Sequence, residues 1–280
     1  MNTIFPNLYK RSCLIENIKK ISVKNTQVCK NKISILGRLY SIRSFGKAYF
    51  ADIQDNSGKT QIYLNVNLLK NSFKISKFLD NGTIVWCRGH LFKTKQNNIC
   101  VKIYFLTIIV QPKKKLPLIW KKIKNTYKRY KHRYLDILLN ENVKFYLKIR
   151  ENIILNLKKY LIKYKYKEVE TPVLHSISGG ADAQPFKTKC EVYKKNLYLR
   201  IAPELFLKKL IVAGYERIFE LSKSFRNEGI SFKHHFEFTS LEIYEAYSDY
   251  LDLMSLVEKL INYATKKALK KKNLTIKKMK

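Results

Sequence analysis

Residues 225–250, FRNEGISFKHHFEFTSLEIYEAYSDY, decide the fold of this chain. Apolar and polar residues alternate just before this stretch, from Ile218 to Phe225, and again within it, from Phe236 to Tyr244. Alternation with a period of two is the pattern of a half-buried β-strand. The two runs therefore predict a long antiparallel hairpin whose strands are joined by the intervening loop.

Charged and aromatic side chains are predicted to gather on one face of this hairpin. Because side chains on a strand point alternately to its two faces, Arg226 and Glu228 would share one face of the first strand. Phe238, Glu242 and Tyr244 would share one face of the second strand. This set suits a charged ligand with a flat ring, such as a nucleotide, held beside an amine.

Each of these side chains suits such a ligand chemically. The planar guanidinium of Arg226 can bind phosphate or carboxylate with two parallel hydrogen bonds and can stabilise charge on a phosphorus under attack. Phe238 offers a stacking face, Glu242 and Tyr244 can accept hydrogen bonds from an ammonium group, and His234 in the loop can reach a terminal phosphate. The alternative interpretation is a hairpin whose charged side chains are only hydrated, which is common for charges on a strand surface.

The order of residues in this stretch is more specific than its alternation. FRNEG, at residues 225–229, followed by HHFEFTSLEIYEAYSDY, at residues 234–250, resembles motif 2 of the class II aminoacyl-tRNA synthetases, and in particular their lysyl branch. His235 and Phe236 depart from the motif, because the family usually has Asn and Pro at these two positions. The resemblance implies a synthetase that binds ATP and lysine.

The resemblance also implies a role for each residue at the nucleotide end. Arg226, the catalytic side chain, would bridge the lysine carboxylate and the α-phosphate of ATP. Glu228 and Phe238 would hold adenine, and His234 would meet the γ-phosphate. No side chain would act as a nucleophile, because the lysine carboxylate itself attacks the α-phosphorus and the site works by positioning and charge stabilisation.

A second group of residues is implied for the lysine substrate. By the same resemblance Glu204 and the backbone of Gly180 hold the α-amino group, and Glu242 and Tyr244 complete the grip on the amines. Position alone leaves open that Glu204 is an ordinary acidic residue that complements the dipole of a helix. Gln184 stands where the family usually has Arg, so one cation near the site is absent.

Composition bounds the class of protein. A chain of 280 residues with 46% hydrophobic and 13% aromatic residues can form two domains with proper cores. The net charge of +35, from 56 Lys and Arg against 21 Asp and Glu, either favours a polyanionic partner such as RNA or reflects A/T-rich coding. Five scattered cysteines, with neither a long apolar run nor a signal-peptide core, predict a cytoplasmic protein with reduced thiols and no membrane association.

Residues 33–110 have the pattern of short alternating strands separated by turns. Strands are predicted at residues 34–43, 48–54, 60–66, 83–93 and 99–110. A helix is predicted near Leu68 to Leu79, after the third strand. Five strands with a helix after the third describe an OB-fold barrel, which commonly binds single-stranded nucleic acid.

Part of this barrel has a family resemblance of its own. GRLYSIRSFGKAYFADIQDNSGKTQIY, at residues 37–63, resembles the anticodon-binding barrel of the lysyl enzymes. The resemblance implies that Phe50 stacks on an anticodon base of tRNA(Lys) and that Arg43 and Gln61 read the edge of that base. The pattern alone leaves open that Phe50 lies in the barrel core, because alternation does not fix the register.

The remaining segments complete the predicted domain organisation. Residues 1–32 are expected to form a helical extension with only a loose packing role, and residues 111–131 form a basic, proline-punctuated linker. Residues 132–280 would form the class II catalytic domain. Within them, an apolar helix from residue 141 and a strand that ends at Pro172 resemble motif 1, which implies a homodimer through residues 141–172.

The chain is therefore predicted to combine an OB-fold β-barrel with an incomplete, antiparallel-sheet class II catalytic domain of α+β type. The third class II motif, with its ATP-binding arginine and the carboxylates that bind Mg²⁺, is not found, so no metal ligand is expected. The implied function is that of a lysine–tRNA ligase, which uses ATP and Mg²⁺ to join lysine to tRNA(Lys) in translation. Two alternatives remain: a tRNA-binding remnant without catalysis, or half of a split synthetase that a downstream polypeptide completes.

Overall fold

A computed structural model of the chain describes residues 8–18, 32–65, 67, 69, 79–94, 98–113, 123–231 and 233–270. The chain divides into two compact units, Met1–Asn140 and Glu141–Lys280. Each unit contains a hydrophobic core of its own. The sequence also predicts domain boundaries at residues 32, 110 and 131. This division into two units does not test them, so they stay predictions.

The first unit contains a closed barrel with the strand order β1-β2-β3-β5-β4. Its strands are β1 (Lys32–Phe45), β2 (Ala48–Gln54), β3 (Lys59–Asn65), β4 (Ile84–Lys93) and β5 (Ile99–Val110). Neighbouring strands are antiparallel except for β3 and β5, which run parallel. The strands confirm the predicted OB-fold. The predicted helix near Leu68 to Leu79 lies largely outside the described residues.

An N-terminal segment packs into the core of this barrel. Its short helix α1 (Ile15–Ile18) contributes Ile15 and Ile18, which are both fully buried in the barrel core. Asp55 Oδ2 accepts a hydrogen bond from the backbone N–H of Ile15 at 3.1 Å, and Trp86 Nε1 donates to the carbonyl of Lys10 at 2.9 Å. The expectation of a loose packing role is therefore wrong, because two apolar side chains of this segment complete the core.

Two short helices, α2 (Thr126–Lys131) and α3 (Arg133–Leu139), hold a buried carboxylate. The Asp136 side chain is fully buried and accepts hydrogen bonds from Arg129 Nε at 2.9 Å, from Arg133 Nη1 at 2.6 Å and from Asn140 Nδ2. Burial by itself would raise the pKa of Asp136, but the hydrogen bonds and the two arginine charges lower it below its usual value. This segment therefore has a specific structure, and α2 lies inside the range predicted as a linker.

The second unit is built on a sheet with the strand order β11-β10-β6. Strands β10 (Arg217–Phe225) and β11 (Glu237–Glu245) pair antiparallel over nine residues with no register shift, and β6 (Lys167–Glu168) joins β10 in parallel. The long helices α4 (Glu141–Lys163) and α6 (Tyr250–Lys270) pack together. Phe219, Leu241 and Ile243 lie in the same core cluster as Leu161 of α4 and Leu260 of α6. The predicted hairpin is confirmed.

The remaining elements of this unit are a second sheet and a helix. Strands β7 (Leu174–His175), β8 (Lys187–Cys190) and β9 (Lys195–Leu199) form the sheet in the order β7-β9-β8, and helix α5 (Glu204–Val212) follows it. No helix in the described ranges is both long and apolar enough to cross a bilayer. Among the described cysteines, Cys13, Cys87, Cys100 and Cys190 are free thiols.

Helices α4 and α5 end in the same backbone motif. After α4 the N–H of Tyr166 bonds to the carbonyl of Leu161, and the N–H of Lys165 bonds to the carbonyl of Ile162, both at 3.0 Å. This is the pattern of a Schellman cap, which needs a left-handed residue, and here that residue is Lys165 with φ 66°. After α5 the left-handed position is occupied by Gly214, with φ 97°. Glycine adopts this backbone conformation without strain, whereas lysine does not.

Candidate active site and nucleic-acid face

One face of the β10–β11 hairpin forms the floor of the candidate active site. Phe219, Leu241 and Ile243 of the hairpin pack in the core cluster, and the even-numbered residues that alternate with them face the other way. The centre of this face is small and polar, since Ser222 pairs with Ser240 in the ladder and the hydroxyls of Ser224 and Ser240 lie 3.4 Å apart. The small floor leaves space between the aromatic ring of Phe238 at one end and Glu242 at the other.

The structure places Arg226 and Glu228 differently from the prediction. Strand β10 ends at Phe225, so both residues lie in the following loop and not on a strand face. The backbone N–H of Arg226 still donates to the carbonyl of Phe236 at 2.9 Å, but the next N–H, of Asn227, donates to Gln184 at 2.7 Å. The chain therefore leaves the ladder at this point, and the prediction that alternation continues to residue 228 is wrong.

The loop nevertheless brings the predicted nucleotide-binding residues together. A cleft of about 240 Å³ is lined by Arg226, Glu228, Gly229, Lys233, His234, His235 and Phe238. The guanidinium carbon of Arg226 lies 5.1 Å from the ring centroid of Phe238. Arg226 Nε is buried and has no hydrogen-bond partner within the described part of the chain. A buried donor without a partner is costly, so this atom favours a ligand with an oxygen acceptor.

The loop that carries His234 is organised by Ser231. The Ser231 hydroxyl accepts hydrogen bonds from the backbone N–H groups of Lys233 and His234, each at 3.1 Å, and lies 2.8 Å from His234 Nδ1. Because this hydroxyl already accepts two hydrogen bonds, its own proton can be donated to Nδ1 of the neutral ring. The ring proton then sits on Nε2, which makes Nε2 a donor that suits a phosphate oxygen.

The other end of the hairpin carries the acidic residues predicted for lysine. Tyr244 donates its phenolic proton to Glu242 Oε2 at 3.2 Å. Burial raises the pKa of Glu242, the hydrogen bond from Tyr244 lowers it, and the negative charge of Glu204 raises it again, with a net increase. Burial and the charges of Glu242 and Glu204 also raise the pKa of Tyr244. At Glu242, burial and the neighbouring acids therefore outweigh the hydrogen bond from Tyr244 and the positive charge of Arg200.

Glu204 and Gly180 lie side by side, as the family resemblance implies. Gly180 has φ 92°, and a Cβ built on it would come within 3.3 Å of the Glu204 Cβ and 3.5 Å of the Ala202 Cβ. A side chain at Gly180 would thus be strained and crowded against the start of α5. Glu204 is also paired with Lys208, whose Nζ lies 2.5 Å from Oε1. An incoming amine therefore has to share this carboxylate with Lys208.

A buried network behind this acidic cluster was missed by sequence reasoning. Arg200 Nη1 donates to Glu220 Oε1 at 2.7 Å and to Thr171 Oγ1 at 3.1 Å, and Thr171 Oγ1 donates to Glu220 Oε2 at 2.7 Å. Both charged side chains are at most 5% exposed. The network ties the segment before Pro172 to the middle of β10. The available signal was Glu220 itself, a carboxylate inside an otherwise alternating strand.

The described residues do not fit a magnesium site of their own. Within the described ranges, no group of three or more His, Cys, Asp or Glu side chains is placed to hold a metal ion. Magnesium prefers several oxygen ligands. The acidic cluster around Glu242 is instead suited to an amine, since a phenol and a lysine ammonium group already contact its carboxylates.

The barrel presents a separate row of aromatic rings. Phe50 pairs with Arg43 in the β1–β2 ladder, while its sequence neighbour Ala51 lies in the barrel core. The Phe50 ring lies 5.9 Å from Phe45 and 5.0 Å from Tyr63, and the Tyr63 ring lies 6.0 Å from that of Phe92, as distances between centroids. The alternative that Phe50 belongs to the barrel core is therefore wrong.

Gln61 and Arg43 border this aromatic row. Gln61 lies two residues before Tyr63 on β3, on the face away from the buried Ile62, and pairs with Asp52 of β2. The structure therefore brings Arg43, Phe50 and Gln61 to one outer face, with rings at intervals that suit unstacked bases.

Comparison with known proteins agrees with both units. Residues 33–110 match the model of an OB-fold nucleic acid binding domain, and residues 125–280 match the model of the class II tRNA synthetases (D, K and N). Proteins named lysine–tRNA ligase are 44% identical over 97% of the chain in Wigglesworthia glossinidia brevipalpis and 42% identical over 90% in Carboxydothermus hydrogenoformans. The chain spans only 56% and 52% of these two relatives, or about half their length. With a family model that matches more than half of its residues, the chain belongs to the class II tRNA synthetases of the D, K and N group.

Proposed function

We propose that this chain carries the lysine-activating site and the anticodon-binding barrel of a lysine–tRNA ligase, active as a homodimer. The observation that carries the proposal is the single hairpin face that leads from a cleft with a cation and an aromatic ring to the carboxylate of Glu242, which is hydrogen-bonded to Tyr244. The names of the relatives, lysine–tRNA ligase, support lysine as the amino acid. The domain limits proposed for the chain are residues 33–110 for the barrel and 132–280 for the catalytic part.

At the nucleotide end, the proposed reaction is a displacement at phosphorus. An oxygen of the lysine carboxylate bonds to the α-phosphorus of ATP as the bond to the β-phosphate oxygen breaks, so that lysyl-adenylate forms and pyrophosphate leaves. Arg226 binds the carboxylate and the α-phosphate and stabilises the charge that develops between them. Phe238 and Glu228 hold adenine, and His234 donates from Nε2 to the γ-phosphate.

At the amine end, ligand charge complements the protein charge. Glu242 has a raised pKa because it is partly buried beside other acids, so an ammonium group that arrives there relieves an unfavourable interaction. Tyr244 orients Glu242 through the 3.2 Å hydrogen bond. Glu204, with the backbone of Gly180, binds the α-amino group. A neutral side chain of the same length gains none of this, which would make lysine the preferred substrate.

In the second proposed step, lysine moves to RNA. A hydroxyl at the 3′ end of tRNA(Lys) attacks the lysyl carbonyl, AMP leaves with the electrons of the broken bond, and the hydroxyl proton passes to solvent. Phe50 stacks on an anticodon base, and Arg43 and Gln61 read its edge. Magnesium would accompany ATP as a counter-ion to its phosphates.

The direct test is ATP–pyrophosphate exchange with the purified full chain. Exchange that depends on lysine, and that disappears when lysine is replaced by norleucine, is the expected result. Norleucine is a matched control because it keeps the four side-chain carbons of lysine but lacks the terminal ammonium group. Exchange that is equal with both amino acids would overturn lysine as the substrate.

A second candidate function is a tRNA-binding protein that does not activate lysine. The observation in its favour is the aromatic outer face of the barrel, which belongs to a compact unit of its own. Binding of tRNA(Lys) without lysine-dependent exchange supports this function. Exchange that appears only after a second polypeptide, equivalent to the remaining half of the relatives, is added supports a split synthetase.

A further inference from the structure

We propose that Cys100 fixes the orientation of the Gln61 side-chain amide, so that Gln61 presents its NH₂ group to RNA and selects a base with a carbonyl oxygen. Cys100 would then be a positioning residue for base recognition. The inference rests on the proposed RNA-binding function of the barrel. Nothing in the family resemblance involves Cys100.

Cys100 lies directly beside Gln61 in the barrel wall. Strands β3 and β5 run parallel, with Gln61 opposite Cys100 in the ladder. The next residue, Val101, lies in the barrel core, so Cys100 belongs to the outer face together with Gln61. The Cys100 sulfur donates to Gln61 Oε1 at 3.3 Å, which is hydrogen-bond distance for a thiol.

Cys100 is nevertheless shielded from solvent. Its side chain is fully buried although it is on the outer face. On the other side of β5, Cys100 is opposite Phe92, whose ring reaches across to within 6.0 Å of the Tyr63 centroid. A small side chain at position 100 allows these two rings to approach each other. The thiol therefore lies next to the aromatic row, between Gln61 and Phe92.

The side-chain geometry places the Gln61 oxygen, and not its nitrogen, at the thiol, and a protonated thiol can donate to that oxygen. Burial, and then the negative charge of Asp52, raise the pKa of Cys100 to about 11. The thiol therefore keeps its proton at neutral pH and acts as a donor. Since the oxygen of the Gln61 amide accepts this proton, its nitrogen points away from Cys100. No other hydrogen bond to the Gln61 amide forms within the described part of the chain.

An amide held in this way discriminates between bases that differ only in hydrogen-bonding character. Uracil has a carbonyl oxygen at position 4, which can accept from the Gln61 NH₂ group. Cytosine has an amino group at the same position, so that two donors would face each other and both would lose their partners. One good contact to a base edge corresponds to discrimination on the order of tenfold or more.

The experiment uses the full chain and a series of RNA stem-loops that share one stem. The parent RNA has a loop of uridines, and in each other RNA one loop uridine is replaced by cytidine. We expect wild-type protein to prefer the uridine loop by about tenfold at one position. Cys100→Ser, which keeps a donor, should retain this preference, whereas Cys100→Ala should reduce it to about threefold or less. Cys190→Ala is the matched control for loss of a cysteine elsewhere.

The ratio of the two affinities separates this role from a loss of stability, because a destabilised barrel would bind both RNAs less well. Thermal unfolding curves of the Cys100 variants check that the barrel is folded. If Gln61→Ala removes the preference but Cys100→Ala keeps it, the role of Cys100 is overturned and the barrel proposal stands. If wild-type protein binds neither stem-loop, the RNA-binding proposal fails and this inference fails with it.

Discussion

Among single side chains, Arg226 most directly separates a working activation site from a remnant. Its Nε is buried without a partner and its guanidinium lies against Phe238. Arg226→Lys keeps the positive charge but loses the planar fork of donors. We expect the lysine-dependent exchange rate to fall by the equivalent of about 2–4 kcal/mol, with a smaller loss in ATP affinity. An unchanged exchange rate would remove Arg226 from the mechanism.

Glu242 should couple lysine binding to stability. Its pKa is raised in the folded chain. Its favourable contribution to the free energy of unfolding is therefore present below the pKa of the unfolded state, near 4.3, and is lost as the pH rises through the pKa of the folded state. At pH 7 the ionised carboxylate therefore destabilises the fold. Glu242→Gln should raise the melting temperature at pH 7 and leave it nearly unchanged below about pH 4.

The same variant should lose its response to lysine. Added lysine should raise the melting temperature of the wild type but not of Glu242→Gln. Glu237→Gln is the matched control, because Glu237 is on the same strand but forms an exposed ion pair with Lys223. A lower melting temperature for Glu242→Gln at pH 7 would contradict the assigned direction of the pKa.

Phe50 tests the nucleic-acid face independently of the activation site. Phe50→Ala should weaken tRNA binding by about 1–3 kcal/mol, because one stacking platform is lost. Lysine-dependent exchange should not change, because Phe50 belongs to the other compact unit. Tyr193→Ala removes an exposed aromatic ring of the second unit and serves as the control. Equal tRNA affinity for Phe50→Ala and wild type would rule out the anticodon assignment.

The types of the site residues could be predicted, but their positions only in part. Alternation and the motif gave Phe238, Glu242 and Tyr244 on one face, as observed. Arg226 was placed on a strand, because a pattern does not reveal that the N–H of Asn227 bonds outside the ladder. The pairing of Lys208 with Glu204 depends on side-chain conformation, which the motif does not encode.

At the level of elements, the two Schellman caps differ in one residue type. Lys165→Gly should stabilise the chain by about 1 kcal/mol, because glycine adopts the left-handed backbone of this position without strain. Lys163→Gly, two residues earlier and still inside α4, should have the opposite sign and destabilise by about 1 kcal/mol. Urea unfolding of the two variants beside the wild type measures both effects. If both variants destabilise, the left-handed position is not strained.

The elements themselves were predictable where a strong local pattern agreed with the core. Strand β5 was predicted at its observed bounds, Ile99–Val110, because its pattern is framed by turns on both sides. The role of residues 8–18 was underestimated, since Ile15 and Ile18 are too close together to show periodicity. Their burial depends on contacts with strands that are distant in sequence, and a local pattern cannot report such contacts.

At the level of the whole molecule, α4 predicts self-association. Leu157 and Leu161 pack inside the chain, as core residues. Leu155 and Ile162 are seven residues apart and so share one face of this helix, where they are 45% and 58% exposed, and neighbouring exposed apolar side chains favour a subunit contact. We expect light scattering at micromolar concentration to give twice the chain mass of 33.2 kDa. Leu155→Glu should shift the mass to that of one chain, and a monomeric wild type would contradict the prediction.

The uninterrupted register of the β10–β11 hairpin fixes the distances between side chains along it. Phe238 and Glu242 are four residues apart on one strand, which sets them about 13 Å apart along it. A strand cannot change this spacing gradually, since a slip of one residue turns every side chain to the opposite face. The distance between the ring and the carboxylate can therefore change only in steps of whole residues. A relative that prefers a shorter amino acid has to change the side chains at the acidic end while the backbone spacing stays the same.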